Sequence, residues 1–186
     1  QKTAYPNDGE ISVAIHPAKP TRFRLRLRIP TWTQGRFVPG DLYRYADSID
    51  MPMELRVNGD RFEAPIEKGF ASIEREWQAG DRVVLNLPMP IRVTECHPAV
   101  QANQKRIAFT RGPFVLCAEG LDNGGATQRI FFDNMPATSA AKIKTAHIDS
   151  GSFIQAELPA NAVNQSGEAE STTVTLTPYY AWNNRG

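Results

Sequence analysis

Hydrophobic and polar residues alternate with a period of two along much of the chain, most clearly between Gly69 and Met89. Ala71, Ile73 and Trp77 fall on one face of this stretch, and Glu74 and Glu76 on the other. After a turn at 78–81, Val83, Leu85 and Leu87 alternate with Arg82, Val84 and Asn86. A strand with one buried face requires this pattern, because successive side chains point to opposite sides of a sheet. Gln78-Ala79-Gly80-Asp81 has turn chemistry, so the two strands read as a hairpin. Pro88 ends it, having no N–H to donate. Trp77 has the most area to bury and is placed at the centre of a sandwich core. Arg75 shares its face and breaks the pattern, which puts it near a sheet margin.

The same alternation predicts strands along the rest of the chain. Ile11, Val13 and Ile15 follow an Asp8-Gly9 turn. Thr21 to Ile29 is the most regular strand, with Phe23, Leu25, Leu27 and Ile29 on one face and Arg22, Arg24, Arg26 and Arg28 on the other. That arginine row reads either as an anion-binding face or as the solvated side of a sheet whose neighbour carries Glu74 and Glu76; the second is the simpler reading. Glu54 to Val57, an Asn58-Gly59 type I′ turn and Arg61 to Glu63 form a hairpin. Further strands are expected at Ile91 to Cys96, Arg106 to Arg111, Phe114 to Ala118, Lys142 to His147, Ser152 to Glu157 and Thr172 to Thr177. Phe114 to Ala118 is apolar on both faces, as in a strand covered on both sides. Leu121 to Ala141 reads as a loop whose Phe131 and Phe132 tuck into a core, and Pro159 to Ser171 as an exposed polar stretch. No segment carries a helical period over three turns. Many short strands with Gly/Pro turns predict an all-β chain, an antiparallel β-sandwich of jelly-roll type in two units. A polar break after Pro98 places the boundary between 1–100 and 101–186, with the second unit truncated at its C-terminus.

One stretch resists this scheme. Thr31 to Met53 has no period, yet contains Trp32, Phe37, Tyr43 and Tyr45. Four aromatic residues argue against disorder, and such a loop must bury its rings against something. Trp32, next to Pro30, is expected to cap the local core. Tyr43 and Tyr45, beyond Pro39-Gly40, are expected to face a part of the protein outside this chain.

Composition narrows the function classes. The chain has 186 residues and a formal net charge of +1, which gives no electrostatic footprint for nucleic acid. No apolar run approaches the length of a membrane span. It begins at Gln1 with no signal pattern, and is read as a piece of a longer protein. Cys96 and Cys117 are neither a disulfide framework nor a zinc spacing, and are assigned to structure. His97, His16 and His147 lie in unrelated segments, so no metal site is expected.

An ordered series of motifs carries a family resemblance. It comprises Tyr5-Pro6-x-Asp8-Gly9; Leu27-Arg28-Ile29-Pro30-x-Trp32; Asp41-Leu42-Tyr43-Arg44-Tyr45; Val57-Asn58-Gly59; and Gly69-Phe70 to Trp77-x-x-Gly80-Asp81. Leu87-Pro88-Met89, Arg111-Gly112-Pro113-Phe114-Val115, Cys117-Ala118-Glu119 and Pro178-Tyr179-Tyr180-Ala181-Trp182-x-Asn184-Arg185-Gly186 complete it. The series resembles the C-terminal β region of glycoside hydrolase family 127, the bacterial β-L-arabinofuranosidase group. The resemblance implies a parent with an N-terminal (α/α) barrel followed by β-sandwich domains. It also implies a cysteine nucleophile held with zinc, further cysteines and a glutamate, all in the barrel. That pattern is absent here: Cys96 and Cys117 are not adjacent, and Glu95-Cys96 is not its spacing. No catalytic, cofactor or metal residue is therefore carried over.

Three functions are weighed. The first is an accessory region that buttresses the parent's own N-terminal catalytic domain and forms a homodimer. The second is a carbohydrate-binding module presenting Trp32, Tyr43, Tyr45, Tyr179, Tyr180 and Trp182 to plant-type glycans, for which exposed, coplanar rings are required. The third is a glycosidase using two carboxylates among Glu74, Glu76, Asp81, Glu95 and Glu119, with nothing to single out a pair. The first is favoured. Neither nucleic acid nor membrane is expected as a partner, and bacterial cytoplasm and periplasm both fit.

Overall fold

The computed structural model describes residues 1–36, 39–125, 127–148 and 151–183. Phe37 and the Asn184-Arg185-Gly186 end of the last motif lie outside the described residues. The chain divides into two compact units, Gln1–Gly40 with Ile49–Met89, and Asp41–Ser48 with Pro90–Gly186. Its strands run β1 (Lys2–Thr3), β2 (Glu10–Ala14), β3 (Thr21–Arg28), β4 (Tyr43–Tyr45), β5 (Glu54–Val57), β6 (Asp60–Arg61), β7 (Ile66–Glu67) and β8 (Phe70–Trp77). They continue with β9 (Arg82–Asn86), β10 (Ile91–Cys96), β11 (Ala108–Arg111), β12 (Phe114–Ala118), β13 (Ile130–Phe131), β14 (Lys142–Ile148), β15 (Gly151–Val163) and β16 (Ala169–Pro178). Every strand pairing is antiparallel, and among the described residues the only helical segments are 3-10 turns of three or four residues. The all-β expectation holds.

The first unit is a sandwich of two sheets, ordered β1-β2-β9-β5-β6 and β3-β8-β7. Leu55, Val57, Val83 and Leu85 from one sheet meet Ala71, Ile73 and Trp77 from the other in a single core. Trp77 is fully buried, and its indole N–H donates to the Phe23 carbonyl at 3.1 Å. Phe23 stacks on it at 5.7 Å, and the Arg75 guanidinium lies over its ring at 5.3 Å. Arg75 is thus the lid at the end of the core, half-buried because its stem packs while its head reaches water.

The stretch from Gly69 to Met89 is not a hairpin. β8 and β9 belong to different sheets, and the turn between them carries the chain across the sandwich. The alternation is the same in both cases; two strands that bury their apolar faces against each other must lie in facing sheets rather than side by side. Gly80 N–H donates to Ile15 O and Ile15 N–H to Asp81 O, so the turn, closed by Asp81 N–H to Gln78 O, is also bonded to the end of β2. Asp81 locks the turn by accepting from Gln78 N–H at 2.8 Å and Asn58 Nδ2 at 2.7 Å. These donors, the Gln78 N–H foremost, hold its carboxyl below the ordinary value of 3.8. Stability from Asp81 is therefore present above that pH and lost as pH falls through the lower folded value. Asp81→Asn should cost stability at neutral pH, and the gap to wild type should close below about pH 4 in acid-unfolding curves. A gap independent of pH would contradict this reading.

Of two other turns read from the sequence, one follows its signature, whereas Gly9 does not take the positive φ of a hairpin pair. Asn58 and Gly59 have φ of 54° and 93°, the left-handed pair of a type I′ hairpin joining β5 and β6. Gly9 is required by proximity, since a Cβ there would collide with the Leu87 carbonyl, whose own N–H donates to Gly9 O. The arginine row lies on the outer face of its sheet. Arg24 places Nη2 2.6 Å and Nε 3.0 Å from Glu74 Oε2, with Arg22 at 3.8 Å from the same carboxylate. Arg26 and Arg28 lie over the Phe70 ring.

The second unit is one long sheet, ordered β13-β15-β16-β12-β11-β10-β4, with β14 also paired to β15. Its core gathers Val93, Phe109, Leu116, Leu158, Val174 and Leu176, with Phe132 edge-on to Phe109 at 5.7 Å. The division falls between Met89 and Pro90 rather than near residue 100, because β10 pairs with β11 over four residues and so belongs to the second sheet.

Three local expectations are corrected. Tyr43–Tyr45, read as loop, is the edge strand β4 on β10. Three residues are too short to register a period. The polar stretch 159–171 is largely the β15–β16 hairpin, paired from Ala156↔Leu176 to Val163↔Ala169. Pro159 is tolerated there. The N–H and C=O of Thr175 face away from β15, toward Asn123, so the Pro159↔Thr173 pair two residues on also exchanges no ladder bonds. Finally, Phe114–Ala118 is not covered on both sides, as Val115 is 53% exposed.

Candidate functional site

The segment without a period separates into two parts. Trp32 stands on a 3-10 turn, Thr31–Gln34, and packs half-buried against the first core. The turn ends at Gly35, in the left-handed conformation at φ 75°. Tyr43 and Tyr45 belong to the second unit, where residues 41–48 form a strap along the edge of β10. Backbone bonds run from Ala46 N–H to Val93 O and from His97 N–H to Leu42 O.

Asp47 anchors the strap. Its Oδ1 accepts from Arg92 Nε at 2.8 Å and lies 2.6 Å from Nη2, which donates to the Asp47 carbonyl at 3.3 Å, and its Oδ2 accepts from the Val93 N–H at 3.0 Å. Both side chains are largely covered, at 14% and 15% accessible for Arg92 and Asp47. Arg92 also lies over the Tyr45 ring at 3.8 Å. Burial pushes the Tyr45 hydroxyl up, against the opposing hydrogen bond to Thr110 and the charge of Arg92. Tyr43 is 36% exposed, and its hydroxyl accepts from Asn103 at 3.2 Å. None of the three described rings is fully buried. Asp47 and Arg92 were missed by sequence reasoning, since a lone Asp and a strand Arg 45 residues away give no pairing signal.

The remaining aromatic candidates lie at the far end of the second unit. Tyr179, Tyr180 and Trp182 surround a 3-10 turn, Tyr179–Ala181, and are 61%, 51% and 49% exposed. Tyr179 and Trp182 are near-parallel, 12° apart in plane and 5.8 Å between centroids.

A cleft of about 750 Å³ opens in the second unit, with Phe109 and Leu116 in its floor and Glu95, Lys105, Arg106 and Asp133 on its rim. Its carboxylates have partners: Glu95 lies 3.6 Å from Arg44, and Asp133 accepts from Asn161 at 2.7 Å. Cys96 contacts Val100 O and Gln104 Nε2, and Cys117 the Thr177 carbonyl. Among the described residues no three His, Cys, Asp or Glu side chains come together to hold a metal. Two of the other acids have partners within the fold. Glu74 is held below the ordinary carboxylate range by its hydrogen bond to Arg24, and Glu119 accepts the Asn183 N–H. Glu74 and Asp81 move opposite to a general acid, whose pKa must rise.

Comparison with known proteins agrees with this division. The model of the β-L-arabinofuranosidase GH127 middle domain matches residues 1–89, and that of the glycoside hydrolase family 127 C-terminal domain matches residues 91–186. The chain belongs to glycoside hydrolase family 127. The seam between the two family 127 domains coincides with the Met89/Pro90 division of the fold, apart from the strap, which lies within the middle domain's sequence but in the second unit's sheet. The non-reducing end β-L-arabinofuranosidase of Bifidobacterium longum subsp. longum is 28% identical over 204 residues, covering all of this chain and 28% of that protein. A solved GH127 β-arabinofuranosidase is 35% identical with a TM-score of 0.88, over the whole chain and 29% of that structure. A GH127 β-L-arabinofuranosidase from Geobacillus stearothermophilus T6 is 30% identical with a TM-score of 0.81, over the whole chain and 28% of that structure. The chain thus spans less than a third of the length of the relatives it matches.

Proposed function

We propose that these residues are a non-catalytic β-sandwich region of a β-L-arabinofuranosidase-like glycoside hydrolase, where they buttress a catalytic module carried elsewhere in the polypeptide. The observation that supports this most is the tiling of the chain by a middle and a C-terminal domain, while under a third of the relatives' length is spanned. The thiols agree with it: Cys96 and Cys117 line the cleft together with Glu95 and Asp133, yet among the described residues no three such side chains come together to hold a metal. Zinc belongs to the catalytic module in this reading, and the half-exposed ring of Tyr43 is assigned as a contact with it.

The test is removal. A family 127 enzyme shortened by the residues equivalent to this chain should lose activity faster on heating than the intact enzyme, with its KM for an arabinofuranoside little changed while it survives. Equal half-lives with and without the region would exclude a buttressing role.

A further inference from the structure

The second unit leaves one group of large aromatic rings in water. Tyr179, Tyr180 and Trp182 are each about half exposed or more, whereas Trp77 is completely covered. Contiguous exposed aromatic surface of this kind marks a binding site far more often than isolated apolar residues do. The group is also rigid. Ala181 within it is 1% exposed, Pro178 before it is fully buried, and the Trp182 N–H closes the turn on Tyr179 O at 3.1 Å. Tyr180 is braced against Phe114 at 5.3 Å, and the Asn183 N–H is held by Glu119 Oε1 at 3.0 Å. Rings fixed in this way lose little freedom on binding.

We propose that Tyr179 and Trp182 form a stacking subsite for a neutral glycan chain. The two rings stack on each other, 12° from parallel with centroids 5.8 Å apart, so each offers one outer face to a sugar rather than sharing a coplanar platform. A sugar ring can lay its C–H face on such a surface while its hydroxyls stay hydrated at the edge, which avoids stranding polar groups. The phenolic hydroxyl of Tyr179 and the indole N–H of Trp182 add polar edges beside that apolar face. The site is separable from the buttressing role, because it requires only this chain.

The test uses the 186-residue chain and linear arabino-oligosaccharides. Isothermal titration calorimetry measures binding in every variant, and acrylamide quenching of the unaltered chain adds a readout at Trp182, since Trp77 is covered and Trp32 half-covered. Saturable binding is expected, with Trp182 of the unaltered chain protected from quenching, and affinity weakened about tenfold or more by Trp182→Ala and by Tyr179→Ala, as for other aromatic stacking platforms. Trp182→Phe should keep most of the affinity, and Tyr43→Ala all of it. Unchanged melting temperatures verify that the variants fold. No saturable protection at millimolar sugar, or binding indifferent to Trp182→Ala, overturns the proposal. So does a Trp182-dependent dimer in sedimentation that no glycan disturbs, which would make the patch a contact between copies.

Discussion

Trp77→Ala is expected to destabilise the first unit by roughly 3 to 5 kcal/mol, the range for truncating a fully buried large aromatic. Three losses combine. The indole gives up its burial between the two sheets, where Ala71, Ile73 and Val83 are also completely covered. The Phe23 carbonyl loses the donor held at 3.1 Å. Phe23 and Arg75, which lie on the indole, lose the surface that orders them. The surrounding strands are tied by backbone ladders and can close the hole only in part, so most of the cavity cost remains. Trp77→Phe should cost less, because it keeps a ring in the core and sacrifices mainly the N–H and the outer edge. Urea melts measure both. A loss below about 1 kcal/mol for the alanine variant would mean the core is centred elsewhere.

Asp47→Ala should cost the second unit about 3 kcal/mol, near the low end for removing one partner of a buried ion pair. Its carboxylate lies against two Arg92 nitrogens and accepts from the Val93 N–H, in surroundings that leave both side chains only about one-seventh accessible. Removing it strands a guanidinium and a backbone donor, and releases the strap that forms the sheet's edge. Arg24→Ala is the informative contrast. Arg24 also lies 2.6 Å from its carboxylate, but the pair is 61% and 45% accessible, so solvent screens it and the change should be small beside that of Asp47→Ala. Equal distances with unequal costs would show that burial, not contact length, sets the value of these pairs. Equal costs would contradict it.

Much of the fold was legible in the chain because period-two alternation survives wherever one face of a strand is buried. Leu25 and Leu27 against Arg24, Arg26 and Arg28 sit as their pattern requires, although Phe23 is 37% exposed, and in β16 Thr175 and Thr177 are buried along with Val174 and Leu176. What alternation does not encode is which strand lies beside which. The segments on either side of Gln78-Ala79-Gly80-Asp81 have the same inward residues whether they pair directly or face each other across a sandwich, and only the bonds from the turn to Ile15 decide it. The strap shows a second limit. β4 is three residues long and is held by a partner strand far along the chain, so no local signal separates it from loop. The aromatic candidates divided along the same line. Trp32 beside Pro30 caps a neighbouring core, as local reasoning suggests, whereas the half-burial of Tyr45 depends on Arg92. That Tyr179 and Trp182 lie near-parallel could not be read from their spacing, because a 3-10 turn sets it.

The central claim is that this part of a family 127 protein holds no catalytic machinery. Its most direct test is a β-L-arabinofuranosidase assay on the purified 186-residue chain, with and without added zinc, alongside metal analysis of the same sample. No turnover above the uncatalysed rate and no stoichiometric zinc are expected. Turnover that requires zinc, with one metal per chain lost on Cys96→Ser or Cys117→Ser, would contradict the account.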